Sequence, residues 1–415
     1  MFGHRAREGP RRADDAERCV RGSARRCRLR EAADGRLRRF GAPLRPRPVV
    51  RPPVKGVRTP PGGAAASAVD PNPDPVAVGR PTRSRLALRG GGLLVLGALL
   101  VLLVVLSTWI GTRDTSFGQV WSAIWSDDGS YATGVVRELR LPRTLVGLMV
   151  GAALGTAGAV MQAVTRNPLA DPGLLGVNAG ASAAVVFGIG VLGMAGFASL
   201  VWFSFVGAAL TTVIVYVLGA SGRAGPTPVR LALAGAAVSA SLGGVIAGLT
   251  VFDSATYDYM RFWMIGSLAG REPALVMDLL PFVVVGLVIA LLLARPLNAL
   301  GLGEELGEAL GAHIARTRIA SVVAVTLLCG AATAAAGPIG FVGLVVPLVA
   351  RWLTGPDLRW VLPYSMLLAP VLLLASDIVG RVVLPGDELE VGAVTALIGA
   401  PVFIAMVRRR KEISL

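Results

Sequence analysis

The 415-residue chain is 53% hydrophobic and only 16% charged, with a mean hydropathy of +0.64. Soluble domains carry roughly 25% charged residues, so this composition excludes an ordinary soluble enzyme and points to bilayer helices. The net charge of +15 suggests nucleic acid until it is located: residues 1–89 hold 22 Lys/Arg against 8 Asp/Glu, and the remaining 19 basic residues meet 18 acidic ones.

The basicity therefore belongs to a tail, and no nucleic-acid partner is expected. Residues 1–89 are rich in Arg, Pro, Gly and Ala and show no helical or strand period. They are expected to form a disordered cytoplasmic tail, or to be a reading frame opened too far upstream. Cys19, Cys27 and Cys329 do not make a disulfide framework.

Beyond the tail, apolar runs bounded by charges, Gly and Pro predict ten spans. They cover 91–111, 142–164, 173–195, 198–220, 229–251, 275–294, 317–337, 340–354, 360–383 and 391–407. An even count puts both termini on one side. With the amino end inside, 12 basic residues lie on inner segments and 7 on outer ones, the tail not counted. The positive-inside rule then predicts a multi-pass protein of the cytoplasmic membrane with both termini cytoplasmic. Gly151 with Gly155, and Gly244 with Gly248, form G-x-x-x-G pairs and are expected to pack helices closely.

Several chemistries are missing. No G-x-x-x-x-G-K-[ST] phosphate loop exists, so ATP hydrolysis is not expected in this chain. His4 and His313 are the only histidines, too few for an H-E-x-x-H zinc site. Neither a metal nor a cofactor is expected, and no catalytic residue is assigned. Gly180-Ala181-Ser182-Ala183 has the form of an intramembrane serine protease motif, yet a serine nucleophile needs a base, and His313 lies in an inner loop. Asp278 and Asp377 are the chief ionisable residues within spans, both near span ends. That weakens the alternative of an ion-coupled secondary transporter, which buries an acidic relay near the midplane.

The polar stretches are more distinctive. Arg140-Leu141-Pro142-Arg143 opens the second span, which ends in Met161-Gln162 and is followed by Arg166-Asn167-Pro168-Leu169-Ala170-Asp171-Pro172. Then come Trp263 to Leu268, Leu302-Gly303 through Ala309-Leu310-Gly311, and Gly337-Pro338-Ile339-Gly340-Phe341-Val342-Gly343. Pro347 with Arg351, Asp377 with Arg381, and Glu388 through Gly399-Ala400-Pro401 complete the series. In order and spacing this set resembles the permease subunits of type II ABC importers, which serve iron–siderophore, haem and cobalamin uptake. Two positions depart from the family pattern: Leu348 follows Pro347 where the family has His, and Glu390 replaces the proline of Glu-x-Pro-x-Gly.

The resemblance implies an all-α integral membrane fold of about ten transmembrane helices over residues 90–410. It implies a ferric siderophore as cargo ahead of haem or cobalamin. It also implies four partners or sets of partners: a second permease copy (homodimer or heterodimer), two cytoplasmic ABC ATPases, an extracytoplasmic binding lipoprotein and membrane lipid. Arg140, Arg143 and Arg381 would form outer pockets for binding-protein glutamates, a task suited to the planar guanidinium fork. Residues 298–315, with Leu302, Gly303, Glu304, Glu305, Ala309, Leu310 and Gly311, would contact the ATPase through one or two short helices. Gln162, Asn167, Pro168, Gly337, Gly343, Pro347, Arg351 and Asp377 would be structural members of the family pattern.

Overall fold

The computed structural model describes residues 83–111, 116–194, 197–221, 227–252, 254–384 and 387–408. The expected tail lies outside the described residues up to position 82. The remainder of it is corrected, because α1 begins at Arg83 and runs to Trp109. Arg89 can sit in its early turns because its carbonyl accepts the Tyr364 hydroxyl at 2.8 Å and its guanidinium lies over the Trp360 ring.

Two short helices follow, α2 (Phe117–Trp125) and α3 (Tyr131–Gly134), and a π-helical turn (Val135–Arg140) leads into α4 (Leu141–Thr165). The chain continues through α5 (Val177–Gly190), α6 (Phe197–Ala220), α7 (Pro228–Phe252), α8 (Ser254–Trp263), α9 (Pro273–Leu292), α10 (Ala294–Gly301) and α11 (Glu304–Ala309). It ends with α12 (Ile314–Ala336), α13 (Val342–Thr354), α14 (Leu358–Val383) and α15 (Val391–Arg408). Seven of these helices are long and apolar enough to cross a bilayer, and α5, α13 and α15 are shorter apolar helices. Together they fall on the ten predicted spans. The protein is an all-α integral membrane protein.

Helix α4 runs through the middle of the bundle. Of its 25 residues, 19 are buried, on every face, and it packs against α9, α12, α13 and α14. Apolar side chains gain little from meeting each other in lipid, so close packing must hold such a helix in place. Small residues permit it. A Cβ on Gly151 would lie 2.5 Å from Pro370 Cα, and one on Gly155 would lie 2.6 Å from the Ser365 carbonyl oxygen, both on α14. Gly244 and Gly248 make no such contact within the chain. Among the described residues nothing lies within 4 Å of a Cβ at either position, because that side of α7 faces away from the other helices.

Two spans are interrupted. α5 has 14 residues and α13 has 13, about 20 Å each at 1.5 Å per residue, against a bilayer core of about 30 Å. Irregular segments 166–176 and 337–341 make up the length. The first meets the head of α13 inside the bundle, where a Cβ on Gly343 would lie 3.0 Å from Pro172 Cδ and 3.2 Å from the Leu154 carbonyl oxygen, halfway along α4. Irregular backbone at membrane depth survives only where protein satisfies its polar groups. Here Asn167 N–H donates to the Gln162 carbonyl (3.2 Å), Gly173 N–H to Asp171 Oδ1 (2.8 Å) and Ser267 N–H to the Ala336 carbonyl (2.8 Å). Phe341 adopts a positive φ of 65°, rare for a bulky residue, and it fits because Gly399 lacks a Cβ that would sit 2.7 Å from its own.

The tightest approach to α4 yields a prediction. A Cβ on Gly158 would lie 1.9 Å from the Gly343 carbonyl oxygen, whereas Gly248 has open space. Gly158→Val is expected to cost at least the overpacking range of about 1–3 kcal/mol and to deplete folded protein. Gly248→Ala should keep parental stability. Membrane abundance and thermal unfolding in mild detergent check both, and a parental melting temperature for the Gly158 variant would refute the packing.

Candidate functional site

One end of the bundle, the arginine end, gathers the C-termini of α1 and α14 and the start of α4. Asp377 on α14 is 1% exposed and accepts Arg143 Nε at 3.0 Å and Arg143 Nη2 at 2.8 Å. Arg381, one turn beyond on the same helix, binds the other carboxylate oxygen. Arg143 also donates from Nη1 to Glu388 Oε2 at 2.6 Å. Two arginines and two carboxylates thus share one cluster.

The cluster also closes α1. The last carbonyls of a helix have no intrahelical partner and carry its negative dipole end. Arg381 Nη1 donates to the carbonyls of Ser107 (2.7 Å) and Ile110 (2.8 Å), and Arg140 Nη1 to those of Thr108 (3.2 Å) and Trp109 (2.7 Å). Ser107 Oγ completes the junction by accepting Arg381 Nη2 at 2.8 Å and meeting Thr144 Oγ1 at 2.9 Å. The three arginines expected to form outer pockets are thus largely engaged within the chain. Arg140 is 5% exposed and Arg381 4%, both holding carbonyls of this chain. Arg143 keeps 12% of its side chain exposed and Glu388 31%, so these two form the accessible part. Sequence reasoning quoted Glu388 only as part of a motif and missed Ser107. Asp278, by contrast, is exposed on α9.

Inside the bundle, Gln162 bridges two elements: its Nε2 donates to the Leu344 carbonyl at 3.0 Å and its Oε1 accepts Arg351 Nη1 at 3.1 Å. Arg351 is buried in the last turn of α13, where a cation suits the helix dipole. Asn167 Oδ1 caps the Leu169 N–H at 3.0 Å, with Pro168 between them. Gly337 ends α12 at a φ of +74°, and Pro347 is buried within α13. Ser182 donates to the Asn178 carbonyl, and Asn178 touches Thr333, 20 residues along α12 from His313. That is about 30 Å of helix, so His313 cannot act as its base.

The opposite end, the loop end, carries residues 298–315. Two short helices lie there, as expected. Asn298 Nδ2 on α10 donates to Asp357 Oδ1 at 2.7 Å, and α11 is tied to α12 by Arg318 Nη2 and Glu304 Oε1 at 2.6 Å. Gly303 and Gly311 flank α11 at φ +117° and +84°, backbone that a side chain would strain. Leu302, Leu306 and Leu310 stand 62%, 58% and 64% exposed, Leu306 within α11 and the other two at its flanks. Glu305, Glu308 and Ala309 are exposed around them, and a cleft of about 430 Å³ opens beside Glu308, Gly311 and His313. The reading from sequence missed Leu306, although its four-residue spacing from Leu302 and Leu310 was visible.

The model of the FecCD transport family matches residues 99–409. The chain belongs to this family. Members are permease subunits of ABC importers of iron chelates, and FepD, the ferric enterobactin transport system permease protein of Escherichia coli K12, is 47% identical over 313 residues. That alignment covers 75% of this chain and 93% of FepD. The Fe(3+)-citrate import system permease protein YfmD of Bacillus subtilis 168 is 40% identical, covering 73% of this chain and 90% of YfmD. A solved metal-chelate type ABC transporter in an inward-facing conformation superposes with a TM-score of 0.69 at 28% identity, over 77% of this chain and 99% of that one. Nothing in these likenesses favours the ion-coupled secondary transporter.

The FecCD arginine cluster makes a test of buried charge. Asp377→Asn leaves Arg143 and Arg381 without their shared carboxylate and should cost about 3–5 kcal/mol. Glu388→Gln, at the half-open rim, should cost about 1 kcal/mol or less. Unfolding of both variants in detergent micelles compares them, and equal losses would show that the clasp is not what holds α1.

Proposed function

We propose that this permease carries a ferric siderophore across the cytoplasmic membrane, paired with a second permease copy, driven by two ATPase subunits and fed by an extracytoplasmic binding lipoprotein. The exposed Leu302, Leu306 and Leu310 at and beside α11 carry the reading. Three exposed leucines at a polar end, ringed by glutamates, suit a protein contact that becomes dry on docking. The chain has no phosphate loop, so the energy has to come from such a contact.

The relatives support the cargo, since the names of FepD and YfmD specify ferric enterobactin and ferric citrate. The positive-inside count supports a cytoplasmic loop end and cytoplasmic termini. The open side of α7 at Gly243, Gly244 and Gly248 supports close approach of a second copy, most simply an identical one. For the binding protein, the accessible pair of Arg143 and Glu388 is the favoured contact. Arg140 and Arg381 then act behind it, by tying the end of α1 to α4 and α14 beside Arg143.

Leu306→Glu tests the reading with the co-expressed ATPase. An apolar side chain lost from a dry contact weakens docking by about tenfold or more, the factor that about 1.4 kcal/mol gives. ATPase co-purification and uptake of radioiron-loaded siderophores should fall together at unchanged membrane level. Leu310→Glu should behave likewise. Coupled uptake at the parental rate in both variants would remove these leucines from the ATPase contact.

A further inference from the structure

Helix α2, Phe117-Gly118-Gln119-Val120-Trp121-Ser122-Ala123-Ile124-Trp125, is the most prominent element that the permease reading leaves without a task. It contains no charge, and at 100° per residue its positions divide into three faces. Val120 (3% exposed) and Ala123 (0%) point one way and pack with Val136. Phe117, Trp121, Ile124 and Trp125 form a second face, 50%, 57%, 39% and 72% exposed. Gly118, Gln119 and Ser122 form the third, and all three are exposed.

The helix is held rigidly in this attitude. Ser116 and Gln119 form a capping box at its start. At its end Arg137 Nε donates to the Ala123 carbonyl at 2.7 Å. The aromatic face is therefore displayed, although it could have been folded onto the bundle. It is also continuous with a span. On α1 the residues Val95, Leu102, Val105 and Trp109 are 68%, 53%, 41% and 42% exposed and lie along one side of a 23-residue apolar stretch. The Trp109 ring meets the Phe117 ring edge to face at 5.9 Å, so the apolar column of α1 meets the aromatic face of α2 directly. Just past α2 the chain turns polar at Ser126, Asp127 and Asp128, all exposed.

We infer that α2 is an interfacial helix: its Val120/Ala123 face rests on the protein, its Phe117/Trp121/Ile124/Trp125 face enters the phospholipid layer at the headgroup–acyl boundary, and its Gln119/Ser122 face meets water. Aromatic rings with a polar edge partition to that depth, and an apolar helix face embeds there by about 5–10 Å. With no charge on the helix, anionic lipid is not required. The assignment holds for either leaflet and does not depend on the cargo or partners proposed above.

The test uses the full chain, reconstituted in phosphatidylcholine vesicles with its three cysteines replaced. Nitroxide labels go on Trp121→Cys, Trp125→Cys and, as the water-facing control, Ser122→Cys. Spin relaxation should report strong collision with oxygen and weak collision with a water-soluble nickel chelate at 121 and 125, and the reverse at 122. Nickel access at 121 and 125 equal to that at 122 would overturn the assignment in favour of a water-facing patch. Shielding of 121 and 125 from both reagents would overturn it in favour of protein cover, whether a second copy or another partner. An unlabelled control guards against misfolding: quenching of tryptophan fluorescence by lipid brominated near the glycerol should drop in the double variant Trp121→Phe, Trp125→Phe. Unchanged quenching there would also overturn it.

Discussion

Backbone-to-backbone distance along α4 governs this fold. In a bilayer, hydrophobic contact between two helices displaces lipid that was equally apolar, so what remains is dispersion at short range. Gly151 and Gly155 let α14 lie against α4 with its backbone where a Cβ would stand, and Gly158 does the same for Gly343 at the head of α13. Two neighbours are thereby fixed to one axis. Once α13 is seated, the path left for residues 337–341 is narrow, and the left-handed Phe341 against Gly399 is a consequence of it. Strain of this kind persists only where the surroundings over-determine the conformation.

The same seat explains where polarity is allowed inside the bundle. An interrupted span exposes amides and carbonyls that lipid cannot satisfy, and each needs a protein partner close by. Gln162 serves on both sides at once, giving a donor to the Leu344 carbonyl and an acceptor to Arg351. Asp171 closes its own turn through the Gly173 N–H. At the arginine end the logic is electrostatic: two arginines satisfy the carbonyls left over by α1, and the Asp377 carboxylate offsets part of the charge brought in. Helix α1 lies at the edge of the bundle against α14, with Leu93 and Leu96 on the core, and this clasp and the Tyr364 contact at Arg89 add polar fixes near its two ends.

The spans were legible because length and hydropathy are properties of a segment alone, and even the interrupted α5 and α13 came out within a few residues at their helical starts. What sequence could not supply was direction. Gly151/Gly155 and Gly244/Gly248 carry the same spacing, yet only the first pair faces a neighbour within the chain, since spacing defines a face without saying what meets it. Arg140, Arg143 and Arg381 were recognisable by type and position, and their burial was not, because the carbonyls of residues 107–110 that draw them inward belong to the end of another helix. Helix α2 escaped notice for a different reason. Nine residues split three ways give neither an apolar run nor a two-sided period.

The two ends of the bundle are built to opposite rules. At the arginine end the helix termini are locked by charged hydrogen bonds among α1, α4 and α14, where any displacement would strand a buried charge. At the loop end α11 sits between two glycines in left-handed backbone, attached through one partly exposed ion pair with Arg318 and through the close fit of Gly307 on Ala299. Stability is not uniform across a fold, and the low-stability elements are those with few buried contacts and exposed connections. By that measure α11 is the element a partner can shift at small cost. Its displacement would reach the bundle first through α10 and α12, the helices it touches, and α12 runs from there along α4 to the Ala336–Ser267 contact near the far end. A displacement at the loop end would therefore act on a rod that is also held at its other end.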